Sequence, residues 1–189
     1  AFHITAGPLS RVWGFHRRQG QWPAEGELRA ALERVGSRWI QLEATDSTIR
    51  FLRAGVELNL GSIGKGYALD RCAELLVRRG VENFLVHGGQ SSILARGDRH
   101  RASGEKGWCV ALRHPLKPEV RLAELRLCNR SLGTSGSGHQ FFYFHGRRYG
   151  HVLDPRTGLS VEGVLSATAI APTGAEADAL AIAFFVMGV

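Results

Sequence analysis

The residues best equipped for chemistry in this sequence are a few acids, a histidine beside a turn, and three runs rich in glycine. Asp178 stands in the apolar run Ala177-Asp178-Ala179-Leu180-Ala181-Ile182. A carboxylate near a helix start is stabilised by the free N–H groups there. It is also the group a hard cation seeks, because Mg²⁺ takes one or two carboxylates together with substrate phosphate oxygens. His151 and Asp154 share the stretch Gly150-His151-Val152-Leu153-Asp154-Pro155-Arg156-Thr157-Gly158, in which Asp-Pro opens a turn and Gly158 closes it. His151 has the chemistry of an acid/base or of a ligand contact, and Asp154 that of a second base or of a turn cap.

The glycine runs each allow two readings. Gly61-Ser62-Ile63-Gly64-Lys65-Gly66 precedes a helix expected over residues 67–79. Its free N–H groups and the lysine can take an anion, or it is a tight turn with a solvated lysine. The spacing is neither that of a P-loop nor of a dinucleotide fingerprint. His87-Gly88-Gly89-Gln90 follows a short apolar strand, where a glycine pair suits either close approach of a ligand or a sharp corner. Gly133-Thr134-Ser135-Gly136-Ser137-Gly138 reads as a flexible, hydroxyl-rich loop able to wrap a diphosphate. It lacks the strand-turn-helix setting of a nucleophile elbow, which argues against a serine hydrolase.

The elements that must position these groups follow from periodicity. Leu28, Ala31, Leu32 and Val35 predict a helix from Glu25 that Gly36 stops. Leu69, Ala73 and Leu76 give the next helix its apolar face, with Cys72 expected in the core beside them and Gly80 in the left-handed position after its end. Short strands are predicted over residues 39–42, 48–52, 84–87 and 91–95, with further alternation through Trp108, Val110 and Leu112 and through Val120, Leu122, Leu125 and Leu127. A hairpin turning at His145-Gly146, a strand over 165–171 and an apolar helix over 175–187 complete the chain. Runs of strands with few helices predict an α+β fold with antiparallel sheets.

The 189 residues suffice for one domain with its own core, and a single domain over 1–189 is expected. Both ends look cut, since the chain starts at Ala1 and stops inside apolar sequence at Val189. The net charge of +7 favours anionic partners. The basic residues are scattered doublets without aromatic interleaving, so no nucleic acid is expected as a partner. The three cysteines form no CxxC pair, which argues against zinc and against a disulfide scaffold. No stretch approaches the roughly 20 apolar residues of a membrane helix, and no membrane anchor or export signal is visible.

In their order, these pieces resemble the ApbE family of FAD:protein FMN transferases. Gly-Ser-Ile-Gly-Lys-Gly-Tyr-Ala-Leu-Asp is followed by His-Gly-Gly, Thr-Ser-Gly, His-Val-Leu-Asp-Pro-Arg-Thr-Gly and Ala-Asp-Ala-Leu-Ala, and the opening Phe2-His3-Ile4-Thr5-Ala6-Gly7-Pro8-Leu9 fits as well. The resemblance covers essentially the whole chain. It implies an α+β fold related to the T-fold, FAD as substrate, Mg²⁺ as cofactor, and release of AMP as FMN passes to a Thr or Ser on an acceptor flavoprotein. It further implies that Gly64 offers a carbonyl and Asp178 a carboxylate to the metal, and that Lys65, Gly88, Gly89, Thr134, Ser135 and Gly136 line the FAD site. His151 is implied near the reacting phosphate. A periplasmic or membrane-associated setting is likewise an expectation of family resemblance alone.

The pattern has departures. Where the family carries a Thr four residues after the metal-ligating Asp, this chain has Ile182, which has no oxygen to give; magnesium can keep a water there instead. The family's N-terminal segment with its Met-Gly-Thr stretch is not in this sequence. His3, Asn59 and Gln90 stand where acids are usual. Ile182 motivates a different-class alternative, a non-catalytic FAD-binding or flavin-carrier protein on the same scaffold.

Overall fold

The computed structural model describes residues 2–99, 106–138 and 140–188. Among the described residues the helices are α1 (Gly7–Val12), α2 (Glu25–Leu32), α3 (Gly64–Arg78) and α4 (Gly174–Met187). The strands are β1 (Ile40–Glu43), β2 (Thr48–Phe51), β3 (Phe84–Gly88), β4 (Ser92–Arg96), β5 (Trp108–His114), β6 (Lys117–Leu127), β7 (Arg130–Gly136), β8 (Phe141–Phe144), β9 (Arg147–Gly150) and β10 (Ser166–Ala171). All the pairings are antiparallel, as the α+β expectation requires. The chain sorts into two compact units, residues 1–60 with 137–163 and residues 61–136 with 164–189.

The first unit is built on aromatic bulk. Leu9, Trp13, Phe15, Ala31, Val35, Tyr149 and Leu153 form its buried cluster. Trp13 stacks with or abuts Phe15, Trp22, Phe142 and Tyr149, and its indole N–H donates to the carbonyl of Gly158 at 2.8 Å. That bond satisfies the one polar atom of a fully buried ring. Gly158 adopts φ +75°, and a Cβ there would come within 2.9 Å of Leu28, so the turn closes directly onto α2. The β8–β9 hairpin turns at His145-Gly146, as the sequence predicts.

The second unit carries a sheet in the order β10-β7-β4-β3. Strand alternation sorts its residues between two faces. Leu94, Phe84 and Val86 meet Leu69, Ala73 and Leu76 of α3. Ala95, Leu85, Ile93 and Leu132 meet Val110 and Leu127 of the β5–β6 hairpin. The helices α3 and α4 therefore share one face of the sheet and the long hairpin covers the other.

Three expectations need correcting. The run Gly133-Thr134-Ser135-Gly136 is no flexible loop but the end of β7, with Gly133, Thr134, Ser135 and Gly136 paired to Ala169, Thr168, Ala167 and Ser166. Helix α3 starts at Gly64, three residues early, so Gly64, Lys65 and Gly66 form its first turn instead of a turn before it. Cys72 is exposed, not core, because the apolar face of α3 is turned to the sheet through Leu69 and Ala73.

Candidate functional site

One row of the sheet explains where Asp178 sits. Gly88 pairs with Ser92, Ser92 with Gly133 and Gly133 with Ala169. All four are small and lie on the face that α3 and α4 cover. With no side chain at Gly133, the backbone of α4 settles onto β7: a Cβ at Gly133 would lie 2.5 Å from the carbonyl oxygen of Ala177 and 2.7 Å from the nitrogen of Asp178. At the other end of the row Lys65 lies against Gly88, where an added Cβ would be 3.6 Å from its own Cβ.

Asp178 is only 6% exposed. Its Oδ2 accepts the N–H of Gly66 at 2.8 Å, and its Oδ1 accepts the hydroxyl of Ser92 at 2.7 Å. Ser92 is itself buried in the small-residue row. Both donors are neutral, and among the described residues Asp178 enters no ion pair. A buried carboxylate without a cationic partner is costly unless something offsets its charge. Two accepted hydrogen bonds leave about half of its lone-pair directions free, so the donor set fits a hard cation. Among the described residues no three His, Cys, Asp or Glu side chains cluster to hold a metal. The remaining ligands of a cation would then be carbonyls, water and phosphate oxygens, which is how Mg²⁺ is commonly held. Gly64, as the first residue of α3, faces an open side where a Cβ would meet nothing within 4 Å. Helix geometry commits one lone pair of its carbonyl to the residue a turn later and leaves the second.

The sheet separates two residues that the sequence reads together. Alternation turns Ser135 to the side of Asp178 and Thr134 to the opposite face, where its hydroxyl lies 3.0 Å from that of Thr168. Gly88 closes β3, and Gly89 and Gln90 form the hairpin corner with φ of +62° and +68°. That corner gives the glycine pair a conformational reason as well as a chemical one.

His151 and Asp154 belong to the first unit. The ring of His151 meets the edge of Phe15, with centroids 6.4 Å apart. Its backbone N–H donates to the carbonyl of Gln140 at 3.1 Å, and its Nδ1 lies 3.2 Å from the same oxygen. Since a carbonyl only accepts, this contact calls for a proton on Nδ1. Gln140 is fixed in turn by donating its side-chain amide to the carbonyl of Phe15 at 2.6 Å. The carboxylate of Asp154 accepts the backbone N–H of Arg156 at 2.8 Å and a two-pronged contact from its guanidinium at 3.0 and 2.7 Å. The Arg156 hydrogen bonds hold this carboxyl below the usual carboxylate range, against an opposing effect of burial. A carboxylate so engaged is a weak base and a strong turn organiser.

Sequence reasoning placed Gly66 and Asp70 in the glycine-lysine motif without this role, and gave no site role to Ser92 or Gly174. Asp70 accepts the N–H groups of Gly174 and Ala175, the first two of α4, at 2.6 and 3.0 Å. The signal was present as a repeated spacing, since Gly66 and Asp70, like Gly174 and Asp178, stand four residues apart at the start of a helix.

The second unit thus presents a buried carboxylate, an exposed lysine in the first turn of α3 and a row of small residues across the sheet. The ApbE family model matches residues 1–189, and the chain belongs to the ApbE family. It is 33% identical over 196 residues to a FAD:protein FMN transferase of Klebsiella pneumoniae, covering 100% of this chain and 54% of that protein. The FAD:protein FMN transferase of Escherichia coli K12 is 32% identical, with the same coverage. Among solved structures, the ApbE protein of Thermotoga maritima superposes with a TM-score of 0.88 at 30% identity, over 98% of this chain and 59% of that one. The apo flavinyl transferase ApbE of Pseudomonas stutzeri gives 0.84 at 28% identity, over 99% and 57%. The chain spans about half the length of the curated relatives it matches.

Proposed function

We propose that this chain is part of a flavin transferase domain that moves FMN from FAD to a Thr or Ser hydroxyl of a partner flavoprotein and releases AMP. The observation that carries the reading is Asp178, a buried carboxylate with neutral partners on the scaffold of an ApbE protein. Asp178 and the carbonyl of Gly64 would hold Mg²⁺, with a water standing where Ile182 has no oxygen. When bound, the ion neutralises diphosphate charge and favours departure of AMP. Lys65 supplies a positive charge to the diphosphate, and Gly88, Gly89, Ser135 and Gly136 shape the FAD site. The acceptor oxygen attacks the FMN phosphorus; a phosphoester bond forms, the bond to the AMP oxygen breaks, and the hydroxyl proton passes to a base, the role that the family resemblance gives to His151. His151 is preferred to Asp154 as the base because Arg156 already occupies the Asp154 carboxylate. Such a reaction asks the protein for positioning and charge neutralisation more than for covalent chemistry.

Full-length protein mixed with FAD, Mg²⁺ and an acceptor domain is expected to give a fluorescent, flavinylated acceptor and one AMP per flavin. No such band, with Ile182→Thr unable to restore one, overturns the reading. Ile182, half-buried one turn after Asp178, favours a second reading: a flavin carrier that binds FAD without turnover. AMP above background excludes that carrier.

A further inference from the structure

Asp70 ends the Gly-Ser-Ile-Gly-Lys-Gly-Tyr-Ala-Leu-Asp motif with no role assigned to it there, yet it closes a ring with the candidate metal ligand. From Gly66 the ring runs one turn along α3 to Asp70, and from there by hydrogen bonds to Gly174 and Ala175. One turn along α4 leads to Asp178, which returns to the N–H of Gly66. Each helix thus lends a carboxylate to the other's first turn. The glycines make this possible: a Cβ on Gly66 would land on the carbonyl of Gly174, and one on Gly174 would lie 2.5 Å from the carbonyl oxygen of Gly66. Helix α4 has a start signal of its own, since the Thr173 hydroxyl accepts the N–H of Glu176 while the Glu176 carboxylate accepts the N–H of Thr173. What that local box does not supply is a tie to α3, and Asp70 supplies it.

We propose that Asp70 is a positioning residue for the cation-ligating carboxylate: by anchoring the first two N–H groups of α4 to α3, it fixes where Asp178 stands. This rests on the reading of Asp178 as the metal ligand. Because Asp70 acts through Asp178, its loss affects the cation selectively and spares flavin recognition.

The test uses the full-length protein, with Mn²⁺ as a paramagnetic stand-in for Mg²⁺ followed by electron paramagnetic resonance in the presence of FAD. Asp70→Asn is expected to weaken Mn²⁺ binding about tenfold, the scale seen when groups supporting metal ligands are removed, while FAD affinity in chelator stays within about twofold. Amide exchange should quicken at Gly66, across the ring, as well as at Gly174 and Ala175. Thr173→Ala removes the local cap and should leave Mn²⁺ affinity unchanged. Asp70→Glu, which keeps the charge and guards against misfolding of the first variant, should weaken binding less than Asp70→Asn. Unchanged Mn²⁺ affinity in Asp70→Asn, or an equal loss in Thr173→Ala, overturns the positioning role. Asp178→Asn separates the two failures. Mn²⁺ binding that survives it overturns the metal-ligand reading itself, whereas binding lost there but untouched by Asp70→Asn overturns the positioning role alone.

Discussion

In the first unit the segment bearing His151 is held by bulk: Trp13, Phe15, Phe142 and Tyr149 crowd together beneath it, and the indole of Trp13 grips the turn at Gly158. In the second unit Asp178 is held where bulk is missing. Gly66, Gly133 and Gly174 let two helices and a strand approach until backbone touches backbone, and the carboxylate is then fixed by an N–H and a hydroxyl. The contrast separates two ways of immobilising a side chain. A packed aromatic cluster tolerates loss poorly because a cavity opens. A glycine contact tolerates gain poorly because neither backbone can yield. The cluster around Trp13 and the contact around Gly133 should therefore break under opposite kinds of substitution.

The largest effect is expected from removing atoms in the first unit. Trp13→Ala should cost about 3–5 kcal/mol of stability, measured from urea unfolding midpoints, as for other buried aromatic truncations. A loss under ~1 kcal/mol would mean that the aromatic cluster collapses to fill the gap, and the proposed contrast would fail. Adding atoms in the second unit comes next. Gly133→Ala should cost about 1–3 kcal/mol, because the new methyl meets the Ala177 carbonyl and the Asp178 nitrogen. The control is Gly146→Ala in the first unit, where a Cβ would meet nothing within 4 Å but φ is +75°. Its smaller cost, about 1 kcal/mol, reflects conformation alone. Equal losses at the two glycines would remove the role assigned to close approach.

The same contrast explains what could be read from the chain. The first unit's hairpin was legible because aromatic alternation and a His-Gly turn are local signals, and α4 was legible from its unbroken apolar run. The end of β7 was not. Gly, Ser and Thr in sequence are the composition of a loop, but here the glycine is demanded by α4 lying on the strand, a constraint from some forty residues away. The early start of α3 was hidden for a similar reason, since one of its first-turn N–H groups is satisfied by Asp178, 112 residues on. Asp178 itself stood out as an acid among apolar neighbours. Its partner Ser92 did not, because a serine 86 residues distant in the chain carries no local mark.

The smallest effect sharpens the comparison at the edge of the first unit, where a charged contact adds to the packing that holds the turn. Asp154 has its carboxyl lowered chiefly by the hydrogen bonds of Arg156, with burial acting the other way. For a carboxylate depressed on folding, the linked stability is fully present above the unfolded value, about 4, and is lost as pH falls through the folded one. Arg156→Gln removes the donor. The variant should therefore unfold at lower urea than the parent at pH 7, and the gap should narrow on acidification below about pH 4. Because the guanidinium is exposed and solvent screens it, the gap at pH 7 should be smaller than that of either core substitution. A gap that stays constant from pH 7 to pH 3 would show that Arg156 supports the turn through its aliphatic stem, and that the Asp154 carboxylate is free to act as a base after all.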